Sequence, residues 1–152
     1  MLSLLVTLHI FAAIIWVGGM FFAHLVLRPS AVEILEPPFR LTLWNRVFKS
    51  FFFWVWLAVI LLPVTGYIML LMYFGGFAGA GIHIHIMQAT GLLMIAIYGH
   101  LYFATYQKFQ AAVKEENWPE GGRLLTRIRH TVTVNLILGL VTAMVSAGGR
   151  YF

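Results

Sequence analysis

Six histidines and no cysteine define the metal chemistry open to this chain of 152 residues. His9 and His24 stand 15 residues apart in one apolar run, and His85 and His100 stand 15 apart in another. On an α-helix that spacing rises about 22 Å and turns through about 60° beyond whole turns. Each run therefore presents two imidazoles on broadly one face, well separated along its axis. With the two runs parallel, His9 pairs with His85 and His24 with His100. Imidazole pairs facing each other across a bundle are the axial ligands of b-type haem. Two such haems, one in each half of a membrane, would give an electron path across it, either as a carrier or as part of a membrane oxidoreductase. A single haem on His9 and His85 is the reduced form of this reading. Helix-end histidines also serve as ordinary interfacial hydrogen bonders, and His9, His85 and His24 fit that description too.

A second chemistry competes at the start of the second histidine run. The stretch "HIHIM" places His83, His85 and Met87 within five residues. Imidazole with thioether suits copper, Cu(I) above all, and His9 is a further donor from the first run. His83 lies about 200° from His85 on a helix, so the two cannot serve one porphyrin. Arg123 and Arg127, one turn apart, fit haem propionates or lipid phosphates, and equally fit solvated loop charge. Gln88 and Thr90 could reach a quinone head group. His130 reads as interfacial or as a propionate partner, and Asn135 needs a hydrogen-bond partner inside its helix.

The elements that position these groups follow from composition. The chain is 61% hydrophobic and 10% charged, with a mean hydropathy of +0.89. That is a membrane composition, short enough for a single domain over 1–152. Four apolar runs, about 2–27, 51–73, 84–106 and 131–148, are long enough to cross a bilayer. The first lacks the basic start and small-residue cleavage site of a removable leader. The expected fold is all-α, a four-helix transmembrane bundle running up-down-up-down. The first and third helices then lie on one diagonal, with Ala12, Ala13, Gly18, Gly19, Ala23, Ala89, Gly91, Ala96 and Gly99 opening room for a porphyrin. Pro63 should kink the second helix, beside a close-packing Gly66. The segment after Arg28 is expected to lie along the membrane surface. The third helix should stop at Trp118-Pro119, and Trp44, Trp54, Trp56 and Trp118 should form an interfacial belt.

Charge adds orientation and exclusions. Nine of the ten basic residues fall in the two segments joining spans one to two and three to four, with only Arg150 beyond the fourth. The positive-inside rule makes that side cytoplasmic and both termini periplasmic, in a bacterial inner membrane. The net charge of +5 is thus juxtamembrane charge rather than a nucleic-acid surface. All five acids lie in loops, against a carboxylate proton relay or a hard-cation cage. The lack of cysteine excludes iron–sulfur clusters, thiolate zinc, disulfides and thiol redox chemistry.

With these residues in view, the chain resembles the CopD-like four-helix membrane proteins, a family named for copper resistance and copper uptake. The resemblance rests on "LHIFAAIIWVGGMFFAHLVLRPSA", on "RLTLWNRVFKSFFFWVWLAVILLPVTGY", on "HIMQATGLLMIAIYGHLYF", and on Arg129, Asn135 and Gly139. It implies copper handling. A more distant similarity is to the short bacterial protoporphyrinogen oxidases, which bind haem b and share an H-I-x-A-x-x-x-W first helix. Those enzymes carry H-x-K at the third helix, where this chain has His85-Ile86-Met87. Three readings follow: a haem b electron carrier, a copper-binding or copper-uptake protein using His9, His83, His85 and Met87, and a metal-free subunit of a membrane complex. The expected partners are membrane lipid, a quinone or redox protein, and further copies of the chain.

Overall fold

The computed structural model describes residues 1–149, so Arg150 lies outside the described residues. Four long helices make up nearly all of it: α1 Leu2–Ile34, α2 Pro37–Tyr73, α3 Ile82–Lys114 and α4 Trp118–Gly148. Each is long and apolar enough to cross a membrane, and among the described residues there is no strand. The four-helix, all-α expectation is met.

The helices are longer than the spans read from the sequence. A hydrocarbon core needs about 20 residues, so each helix has roughly a dozen to spare. The surplus lies at one end of the bundle, in residues 28–34, 37–50, 107–114 and 118–130, which hold nine basic residues. This is the basic end. The opposite loop end holds Met1, the α2–α3 connection with its single helical turn Gly76–Gly79, and the close of α4.

The chain after Arg28 is therefore mostly helix rather than surface loop. Prolines explain the breaks. Pro37 and Pro38 sit at the start of α2, where a missing N–H costs nothing. Glu36, placed before a proline, is extended at φ −62°, ψ 153°. At the second break, α3 ends at Lys114, and Glu116 takes a left-handed φ of 54°. Asn117 caps α4 by accepting from the Glu120 N–H at 3.3 Å. Pro119 opens α4 instead of stopping α3. Pro63 lies inside α2, which continues through it as helix.

α1 packs against α2 and α4, and α3 against α4 and α2, so α1 and α3 occupy a diagonal. Side-chain pairs fix the heights. Between α1 and α2, His9 meets Thr65. Between α2 and α3, Gln88 meets Tyr67 and Tyr106 meets Phe48. Between α3 and α4, Thr90 meets Thr142. Between α1 and α4, His24 meets Thr133.

Three stretches are wound more widely, with i→i+5 bonding: Ile14–Gly18, Ala23–Leu27 and Leu101–Tyr106. Pro29 lacks the N–H that would bond the Leu25 carbonyl, which favours the second. Each adds a residue to its turn, and one extra residue displaces later side chains by about 100°.

The core is aromatic and biased toward the basic end. Phe109 and Ile128 are fully enclosed. Phe48 stacks on Phe52 at 5.3 Å, and Tyr106 meets Phe52 edge-on at 4.8 Å. Trp44 is buried beside Phe48, and Trp56 packs on Tyr98 and Tyr102. Trp118 also packs against this core, leaving Trp54 as the exposed member of the expected belt.

Candidate functional site

His9 is the most constrained histidine. Its Nδ1 lies 2.8 Å from Thr65 Oγ1, which is 3% exposed. Thr65 donates its only hydroxyl hydrogen to the Leu61 carbonyl at 2.6 Å. The threonine oxygen must then accept, so Nδ1 carries the proton and Nε2 keeps its lone pair. That tautomer leaves Nε2 available to a metal, with the ring held by the partner of the opposite nitrogen. Gly66 makes the approach possible: a Cβ there would stand 3.3 Å from His9 Cε1. The close packing expected of Gly66 is present. Thr65 was not foreseen as a partner, because the register of α1 on α2 is invisible in either helix alone.

"HIHIM" forms the first turns of α3, with His83, His85 and Met87 each half-buried. His83 packs against Gly81 and against Gly149 at the close of α4. The Gln88–Tyr67 bond, 2.9 Å, sets Thr65 near the height of Thr90. Thr90 in turn accepts from Thr142 at 2.7 Å. The two side chains suggested for a quinone are thus engaged in holding helices together. His9 joins the same polar level, and His85 stands roughly 5–8 Å nearer the loop end at 1.5 Å per residue.

The other histidine layer has the height expected of it but a different facing. His24 Nε2 is 3.5 Å from Thr133 Oγ1 on α4, at the limit of a hydrogen bond. His100 and His130 are exposed and line a shallow groove of about 510 Å³ between α3 and α4, with Ala96, Ile97, Thr131 and Val134. His24 and His100 are thus directed at different partners. The space between α1 and α3 is occupied by Trp16 and Tyr98, edge to face at 6.1 Å, each at most 3% exposed. The small residues assigned to open that space mostly do other work. Gly18, Gly91 and Gly99 border open space, and Gly19 packs on Phe51. Gly139 on α4 is a buried glycine of the core, where a Cβ would meet Val17 Cγ2 at 2.8 Å and Met94 Cε at 3.1 Å.

The remaining polar candidates separate clearly. Arg123 is tied to Glu120 through Nε–Oε2 at 2.7 Å on an exposed face of α4, and Arg127 is exposed beside it. Asn135 is 4% exposed, and its Oδ1 has no partner among the described residues. It supplies no interhelical bond in this arrangement. Among the described residues, no three histidine or acidic side chains converge on one point.

A family model described as copper resistance protein D, CopD, matches residues 45–148. The chain belongs to the CopD family. The match takes in α3 and α4 whole, most of α2 and the complete "HIHIM" stretch, while His9 and His24 fall before it. With four apolar helices, the chain is a multi-pass membrane protein of that family. No curated protein and no solved structure matches it. The likeness to haem-binding oxidases finds no counterpart in these comparisons.

Proposed function

We propose that this CopD family member handles copper, taking Cu(I) at the loop end through His83, His85 and Met87, with His9 as a further donor deeper in the bundle. The observation that carries this reading is the family match across 45–148, which contains the one stretch where imidazole and thioether donors are grouped. The donor set fits a soft ion: neutral nitrogen and sulfur, with no carboxylate between residues 37 and 114. Copper here is cargo, and cargo needs donors that bind and release rather than a closed cage. The fixed tautomer of His9 supports this, since it leaves Nε2 free without a deprotonation step. Beyond this mouth, the buried Met20 and Met94 carry soft sulfur into the core from α1 and α3. By the positive-inside rule, the mouth faces the periplasm.

Anaerobic Cu(I) titration of the purified protein against a chromophoric competitor tests the reading. His83→Ala and Met87→Leu should each weaken binding by about tenfold or more, while His24→Ala and His100→Ala leave it unchanged. Copper-free protein with a strong Soret band would overturn the proposal and restore the bis-histidine haem reading. A colourless protein that binds no Cu(I) would leave the metal-free subunit.

A further inference from the structure

His24 stands in a cluster that copper does not explain. α1 and α4 run antiparallel, with Val17 opposite Gly139 and His24 against Thr133. One turn nearer the basic end, the same register brings Arg28 of α1 and Arg129 of α4 near each other and near His24. All four side chains are half-buried in the seam between the helices. Among the described residues the single ion pair is Arg123–Glu120, so neither Arg28 nor Arg129 has a carboxylate partner. Two half-buried guanidiniums brought near each other without a carboxylate are unfavourable unless another anion lies between them.

The geometry suits one kind of anion. Guanidinium groups match phosphate oxygens with paired N–H donors, better than any other side chain. The Thr133 hydroxyl donates to the Arg129 carbonyl at 2.9 Å. Its oxygen is therefore left as an acceptor, for the His24 N–H when the ring turns a donor toward it. Arg28 directly follows the apolar run of α1, and Arg129 stands two residues before that of α4. The cluster thus lies where hydrocarbon gives way to head groups, which selects a lipid over a soluble anion. We propose that His24, Arg28 and Arg129 form a site for the phosphate of an anionic phospholipid, seated in the seam between α1 and α4.

The test is native mass spectrometry of the full chain, purified in detergent and exposed to phosphatidylglycerol and phosphatidylcholine in equal amounts. Wild type should retain phosphatidylglycerol over phosphatidylcholine by about tenfold, a modest preference for a charge-selective site. Arg28→Gln combined with Arg129→Gln should abolish that preference, whereas Arg123→Gln combined with Arg127→Gln should keep it. Arg129→Glu places a carboxylate opposite Arg28, so it should preserve the fold and still lose the lipid. Undiminished preference in Arg129→Glu, or none in wild type, would overturn the site. Inorganic phosphate that raises the melting temperature as much as phosphatidylglycerol does would overturn its assignment to a lipid.

Discussion

At the basic end, α2, α3 and α4 close around Phe109, Leu124 and Ile128, side chains with almost no exposure. At the loop end, no residue of α1 before Ala12 and none of α3 before Met94 is buried, and the helices are joined by single polar bonds. These are His9 to Thr65, Gln88 to Tyr67 and Thr142 to Thr90. The contrast follows from the two solvents. Where helices extend past the hydrocarbon, apolar burial drives packing at about 25 cal/mol per Å². Within lipid that drive is absent, and helices associate through close packing and hydrogen bonds. Exposed Ile10, Phe11, Leu92, Leu93, Ile137 and Met144 suit a lipid boundary. The rigid part of the molecule is thus its basic end, and the adaptable part is the end with the soft donors, where cargo would enter.

The largest effect is expected from removing apolar volume in the rigid half. Phe109 is 0% exposed and meets Phe48 at 5.9 Å. Phe109→Ala should cost about 3–5 kcal/mol, measured by denaturant unfolding in mild detergent. Met87→Leu at the loop end, similar in volume, should cost under about 1.5 kcal/mol by the same assay. Comparable losses at the two ends would mean that the loop end is as tightly packed as the core.

A smaller and more selective effect is expected at Thr65. Thr65→Val keeps the shape but removes the oxygen that fixes the His9 tautomer. Loss of such a supporting partner lowers metal affinity by roughly 10–100-fold, and the lower figure suits a site where His9 is one donor among several. Cu(I) titration should show the drop with the helix content unchanged by circular dichroism. If affinity holds, His9 serves to bind α1 to α2 and takes no part in copper handling.

What the sequence made legible divides along the same line. The four spans and the side bearing the positive charge could be read because hydropathy and charge are summed over many residues. The helical extensions could not, since Pro37, Pro38 and Pro119 look like breakers while in fact they begin helices. The heights of the histidines were readable from the α-helical rise. Their facing was not, because it assumed one helical period throughout α1. Ile14–Gly18 and Ala23–Leu27 are wound more widely, and the first of them lies between His9 and His24. A slip of about 100° there sends one histidine to α2 and the other to α4. No signal in the residues between Ile14 and Gly18 announces that change, whereas Pro29 does announce the second.

The smallest effect is expected at the turn that aligns the rigid half. Glu116 lies between α3 and α4 with φ 54°, a left-handed conformation that its Cβ makes costly. It follows the last turn of α3, the position where helices commonly end in glycine. Its amide is satisfied, donating to the Val113 carbonyl at 3.2 Å, and Asn117 donates to Ala112 at 2.9 Å. These bonds belong to the backbone and survive substitution. Glu116→Gly should therefore relieve strain without losing a contact. Part of the gain is offset because glycine frees the unfolded chain. The net stabilisation should be about 0.5–1 kcal/mol, read as a raised denaturation midpoint with an unchanged slope. Copper affinity should not move, because the turn lies at the end of the molecule remote from His83 and Met87. If the substitution instead destabilises the protein, the left-handed turn is not what sets α4 against α3, and the rigidity of the basic end rests on its aromatic core alone.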